Sequence, residues 1–142
     1  MEEQAGVYTL TFSRGTVPAV EDLPSSAAPT SSGTVFFFGK DYVGDGEAEL
    51  GKNLIKMMLY TLTQSSDLPA AILLMNSGVH LASTNAETAA HLQTLVDLGC
   101  ELLVCGTCLN YYGIADQLKV GTVSNMYDIL TKMQQANKVI TV

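Results

Sequence analysis

Glu101-Leu102-Leu103-Val104-Cys105-Gly106-Thr107-Cys108 runs an apolar strand directly into two thiols separated by glycine and threonine. A short, nearly uniform apolar run bounded by turn residues predicts a fully buried strand, as in sheets covered on both faces. Glu101–Val104 is read as that strand. Cys105–Cys108 is the turn that follows it, and a short helix near Asn110–Leu118, interrupted by Gly113, comes next.

Outward from this stretch the same grammar repeats. Upstream, Thr84 with Glu87 three residues later predicts a capping box. The helix it opens continues through Ala89, Leu92, Leu95 and Val96, and Gly99 stands where a C-terminal glycine belongs. Before it lies Ala70–Met75, a second buried strand, bounded by Asn76-Ser77-Gly78, with Val79–Leu81 as a short extended piece. Glu47 to Thr63 predicts a long helix. Leu50, Leu54, Met58 and Leu62 recur at four-residue spacing, and Ile55 and Leu59 widen the stripe. Thr34–Phe38 is the first strand of the domain, followed by the loop Gly39–Gly46. Downstream, Val120–Val123 is a short strand. Ser124 or Asn125 caps a last helix carrying Met126, Ile129, Leu130 and Met133, and Lys138–Val142 closes as a strand. Strands alternating with helices predict an α/β fold: a mainly parallel sheet with right-handed crossovers and helices on both faces. Sites in such sheets lie beyond the carboxyl ends of the strands, where Gly39–Gly46, Asn76–Gly78 and Cys105–Cys108 converge.

The first 33 residues read differently. Val7–Phe12 alternates like a single strand, and Ser13–Gly33 holds Pro18, Pro24 and Pro29 among many Ser, Ala and Thr. This predicts a remnant strand and a linker over 1–33, with the domain proper over 34–142.

Composition narrows the function. The 142 residues are 47% hydrophobic and 15% charged, which suits a folded domain. The net charge of −7, with only seven Lys and Arg, supplies no positive footprint for nucleic acid and would repel anionic lipid. No apolar run is long enough to cross a bilayer, and the N-terminal MEEQAGVYTL lacks the pattern of a signal peptide. A cytoplasmic location is expected. Three cysteines cannot form a complete disulfide framework.

The Cys105-x-x-Cys108 pair is the strongest candidate for chemistry. A thiol at the start of a helix meets unsatisfied N–H groups that favour the thiolate, and a second thiol three residues on can resolve a disulfide or persulfide formed at the first. The alternative is that both are small buried hydrophobes. Zinc would need two further ligands, and Cys100 and His91 are poorly placed to supply them. An iron–sulfur cluster lacks a fourth thiolate. A thioredoxin-like site lacks its usual neighbours. Gly46-Glu47-Ala48-Glu49-Leu50-Gly51-Lys52-Asn53 nearly matches a phosphate loop. It ends in Asn53 where a Ser or Thr is needed, and it carries helical spacing from Leu50 onward. Asp41, Asp45, Glu47 and Glu49 read as favourable charge near a helix start. His80 is a candidate base beside the site, or else an ordinary polar histidine. Tyr111 and Tyr112 either wall a pocket or pack in a core or interface.

The run Leu102–Gly113, containing Cys-Gly-Thr-Cys, resembles the C-terminal domain of the sulfurtransferase-like selenium metabolism proteins of the YedF family, a branch of the DsrE-like superfamily. Gly51-Lys52, Tyr60–Thr63, Asn76–Val79 and Val120–Tyr127 share the resemblance, which spans about Thr34 to Val142. It implies a three-layer, flavodoxin-like DsrE sandwich and a homo-oligomer. It also implies a persulfide carried on Cys105, whose distance from Gly113 matches the position used by sulfur-relay members. Proteins of this kind resemble fusions with an N-terminal TusA-like sulfur-carrier domain bearing Cys-Pro. No Cys-Pro occurs here, while Val7–Phe12 is similar to the last strand of such a domain, so a piece of a longer fusion is expected.

The function expected is therefore a sulfur, or selenium, relay with Cys105 as acceptor and Cys108 assisting. Gly106, Thr107, Asn76, Ser77, Gly78 and Tyr111 are the candidate pocket residues. A sulfur-carrier domain or other donor protein is the expected partner, and no organic cofactor or metal is implied. The alternatives are a non-catalytic oligomeric binding module and a dithiol–disulfide switch.

Overall fold

The computed structural model describes residues 30–31 and 33–142. Val7–Phe12 and nearly all of the linker lie outside them. Five strands form one wholly parallel sheet: β2 (Thr34–Phe38), β4 (Ala71–Leu74), β5 (Glu101–Cys105), β6 (Thr122–Ser124) and β7 (Lys138–Thr141). Their spatial order is β6-β5-β4-β2-β7. Two short strands stand apart. These are β1 (Thr30–Ser31), which sequence reading assigned to the linker, and β3 (Asp67–Leu68), which pairs with it in parallel.

The pleat sorts the side chains. On β2, Phe36 lines a groove with Leu54, Met58 and Leu62 of α1 (Ala48–Gln64), whereas Phe37 opens on a different cavity. Successive strand residues point to opposite faces, so α1 covers the Phe36 face. Helix α2 (Ala86–Asp97) packs against α1 on that face. Glu101 shares the face of Phe37 through the register Val35–Ala71–Glu101, and it is bridged at 2.6 Å by Lys132 of α4 (Met126–Gln135). Helix α4 therefore covers the opposite face. The crossovers through α1 and α4 run in opposite directions across the sheet, and a single handedness requires their helices on opposite faces. The core lies between these layers. Ile72, Leu73 and Leu74 of the central β4 are fully buried.

Several local expectations are corrected. The buried line of α1 is Gly51, Ile55 and Leu59; Leu50 and Leu54 of the expected stripe are exposed. The cause is the loop after β2, which lies across the helix. Val43 N–H donates to the Gly51 carbonyl at 3.0 Å, and a side chain at Gly51 would press on Val43. The expected capping box at Thr84 gives way to Asn85, whose side chain accepts from the N–H groups of Glu87 and Thr88. Val79–Leu81 is not extended but belongs to a 3-10 helix, Asn76–Ala82. The helix after the thiols begins earlier than expected: α3 spans Gly106–Tyr112 and ends at Gly113, in the left-handed region at φ 68. On α4 only Ile129 is fully buried, while Met126 and Leu130 of the expected face are exposed.

Candidate functional site

All five strands point the same way, so the ends of β2, β4 and β5 open on one edge of the sheet. A cavity of about 410 Å³ lies there, lined by Phe37 and Gly39 from β2 and its loop, Met75 and Asn76 after β4, and Thr107, Cys108, Tyr111 and Tyr112 from α3. Of the candidates read from the sequence, Cys108, Thr107, Asn76 and Tyr111 line it. Gly106, Ser77 and Gly78 do not. Ser77 Oγ accepts from the Asp41 N–H at 3.3 Å. Gly78 sits where a Cβ would collide with the Phe38 carbonyl oxygen, and Gly106 abuts Val123. Instead of contacting the cavity, the two glycines permit close approach and Ser77 anchors the loop after β2. Gly39 belongs to the loop Gly39–Gly46 expected at this edge, whereas Phe37 and Met75 were not singled out. Phe37 was read as one of a buried apolar run, although strand alternation alone puts it on the face opposite Phe36.

The two thiols differ sharply. Cys105, the last residue of β5, is 4% exposed, whereas Cys108 is only partly buried and faces the cavity. Cys105 lies near enough to Cys108 to raise its thiol. Asn76 N–H donates to Cys108 Sγ at 3.1 Å. Asn76 is the single non-glycine residue of positive φ among those described, at 54°. Its Oδ1 accepts from Tyr112 Oη at 3.1 Å, tying the loop after β4 to α3. Burial pushes the Cys108 thiol above its ordinary value and the Cys105 thiol adds to this, while the Asn76 N–H pulls the other way. The thiol expected to gain from a helix start is Cys105, the N-cap of α3, and not Cys108. Helix α3 has only seven residues, and the donor comes from another loop.

Cys100 stands at the far end of β5, before Glu101. Burial, aided by the Glu101 carboxylate, pushes it up to about 12. His80 does not reach the cavity. Its Nδ1 is 2.9 Å from Thr84 Oγ1, and its ring lies 4.6 Å from that of Tyr112, which lines the cavity. The acidic loop is neutralised locally, Asp45 by Lys40 at 3.0 Å and Asp41 by Lys52 at 3.9 Å. The near phosphate loop is helical from Ala48 onward.

An open parallel α/β sheet with two free thiols at its carboxyl edge defines the chain as a thiol-bearing α/β domain. It belongs to the DsrE/DsrF-like family, whose pattern matches residues 35–142. Membership ties the chain in general terms to sulfur metabolism. Its structure is similar to the crystal structure of the ychN protein from E. coli, with 16% identity over 77% of this chain and 98% of that one and a TM-score of 0.52. It is also similar to MTH1491, a protein of unknown function from Methanobacterium thermoautotrophicum, with 17% identity over 77% and 97% and a TM-score of 0.54. At these identities the likeness speaks for the fold. No curated protein matches the chain. Among the described residues no helix is long and apolar enough to cross a membrane.

Proposed function

We propose that this domain relays sulfur, or selenium, by carrying it as a persulfide or its selenium analogue on the Cys105–Cys108 pair. The observation that carries the reading is the pairing itself: two neighbouring free thiols at the carboxyl end of a central parallel strand, one of which, Cys108, faces the cavity. The transfer is redox-neutral. A thiolate attacks the outer sulfur of a donor persulfide, a new S–S bond forms, and the donor leaves as its own thiolate. Phe37, Met75, Tyr111 and Tyr112 give the cavity apolar walls suited to a persulfide presented on an uncharged segment of a carrier protein. A TusA-like carrier domain is the partner of that chemistry. A reducing cytoplasm suits free thiols. Homo-oligomerisation is part of the reading, supported by the exposed apolar residues Leu50, Leu54, Met57 and Tyr60 on α1. Sedimentation equilibrium giving only monomer at working concentration would remove it.

The test is intact-mass spectrometry after exposure to a persulfide donor. Uptake of one sulfur, retained or released again as sulfide with closure of the thiol pair, is expected, and is absent when both cysteines are replaced by serine. An unchanged mass in both proteins would leave the second reading, a non-catalytic binding module. The raised Cys108 thiol and a histidine held away from it favour that reading.

A further inference from the structure

The relay reading above names a pair of thiols but does not divide the work between them; the inference drawn here rests on that reading. We infer that Cys108 is the thiol that takes sulfur from the donor, and that the buried Cys105 resolves it, expelling the carried sulfur as hydrosulfide and closing a Cys105–Cys108 disulfide. This reverses the roles that position along the chain suggests.

Access decides the first half. A donor persulfide must reach the sulfur it loads in line with its own S–S bond. Cys108 lines the 410 Å³ cavity; Cys105 does not, and it is 4% exposed. The Asn76 N–H, directed at Cys108 Sγ from 3.1 Å, gives the attacking sulfur a fixed donor that a neutral thiol hardly needs and a thiolate uses fully.

The second half rests on what surrounds Cys105. Its thiol lies near enough to that of Cys108 to perturb it, so the loaded inner sulfur is close at hand. On the neighbouring strand Ser124 is its register partner. Ser124 Oγ is buried and has no hydrogen-bond partner. Directly paired residues of adjacent strands carry their side chains on the same face, roughly 5 Å apart. A buried hydroxyl without a partner is costly unless it is used, and a thiolate forming at Cys105 supplies an acceptor for it. Ser124 is therefore a positioning residue for the resolving step.

The step balances. The Cys105 thiolate attacks Cys108 Sγ, the Sγ–Sγ bond forms, and the bond from Cys108 Sγ to the carried sulfur breaks. The electron pair leaves with the carried sulfur, which takes the proton lost by Cys105 and departs as hydrosulfide. The two cysteine sulfurs are oxidised to the disulfide and the carried sulfur is reduced. A dithiol reductant then resets the pair.

The experiment treats the reduced full chain with glutathione persulfide and follows intact mass and released sulfide. Wild type is expected to lose two hydrogens and release one sulfide per chain. Cys105→Ser, and Cys105→Ala as a second packing of the same site, should hold a stable one-sulfur gain and release no sulfide above the donor's own background. Cys108→Ser should show neither. Ser124→Ala should load at the wild-type rate but release sulfide severalfold more slowly, with Ser124→Thr restoring release. A sulfur gain in Cys108→Ser at the wild-type rate, with none in the Cys105 variants, would overturn the order and leave the relay intact. A stable persulfide on wild type without sulfide would overturn the resolving step alone. No sulfur uptake in any protein would remove the relay and the inference together.

Discussion

Asn76, in the left-handed region at φ 54, donates its backbone N–H to the sulfur of Cys108, 32 residues further along the chain, at 3.1 Å. The left-handed turn at Asn76 leads the chain from β4 into the 3-10 helix Asn76–Ala82, while its N–H faces the sulfur. Asparagine tolerates the left-handed region better than most residues; alanine does not, at a cost of roughly 1–2 kcal/mol. Asn76→Ala should lower stability by about that amount, plus up to about 1 kcal/mol for the lost bond from Tyr112 Oη. Asn76→Gly should keep the backbone and lose chiefly the side-chain bond. Urea denaturation of the two variants separates the contributions, and equal losses would show that the backbone conformation is not what matters.

The three thiols should react in a fixed order. Cys108 faces the cavity, Cys105 is 4% exposed, and Cys100 is 3% exposed. Iodoacetamide followed by peptide mass mapping should find Cys108 modified first, with the other two protected until the chain unfolds. Only the thiolate reacts, and Cys108 is held above the ordinary value of 9.0. Its alkylation rate should therefore reach half its maximum above pH 9.0, the midpoint of an unperturbed thiol. A plateau reached well below that pH would mean that the Asn76 N–H outweighs burial.

The alternation of apolar strands with amphipathic helices was sufficient to read the parallel α/β sheet, because each element announces itself over a few local residues. The carboxyl edge of the sheet as the site followed from the same reading. What could not be read was anything set by approach between distant segments. Leu50, Leu54, Met58 and Leu62, widened by Ile55 and Leu59, read as the buried face of α1, and Ile55 and Leu59 do lie in the core. The helix is turned so that Gly51, Ile55 and Leu59 are buried, since only a glycine admits the loop at Val43. The Thr84–Glu87 capping spacing was present, but Asn85, one residue on, is the cap that the chain uses. Phe37 joined the cavity through strand alternation, a signal that was available in Phe36-Phe37-Phe38 and was masked by three identical side chains. The opposite burial of Cys105 and Cys108 has no signature in a Cys-x-x-Cys spacing.

Gly78 is the tightest of these approaches. A Cβ there would run into the Phe38 carbonyl oxygen, a backbone atom fixed in β2, which itself accepts from the Met75 N–H at 3.1 Å. No side-chain rotation relieves that clash. Gly78→Ala should cost about 3 kcal/mol or more, toward the upper end for overpacking, and should loosen the 3-10 helix that carries Asn76. Chemical denaturation measures the first effect. Faster amide exchange confined to residues 76–82 measures the second. Wild-type stability in this variant would mean that the helix can withdraw from β2 at little cost.

Cys100 should make the fold sensitive to alkali. Burial holds its thiol at about 12 in the folded chain, against 9.0 for an ordinary thiol. Between these values the folded state keeps a proton that the unfolded chain releases, so rising pH favours unfolding. The contribution is fully present below pH 9.0 and is lost as pH climbs toward 12, by a few kcal/mol at most. Lysines and tyrosines titrate in the same window, so the readout is a difference between two proteins. Cys100→Ala removes the group and, by deleting one buried sulfur, should cost about 1 kcal/mol at neutral pH. It should then lose less stability than wild type between pH 9 and pH 11 in urea titrations. Parallel pH profiles for the two would show that Cys100 reaches solvent before it ionises.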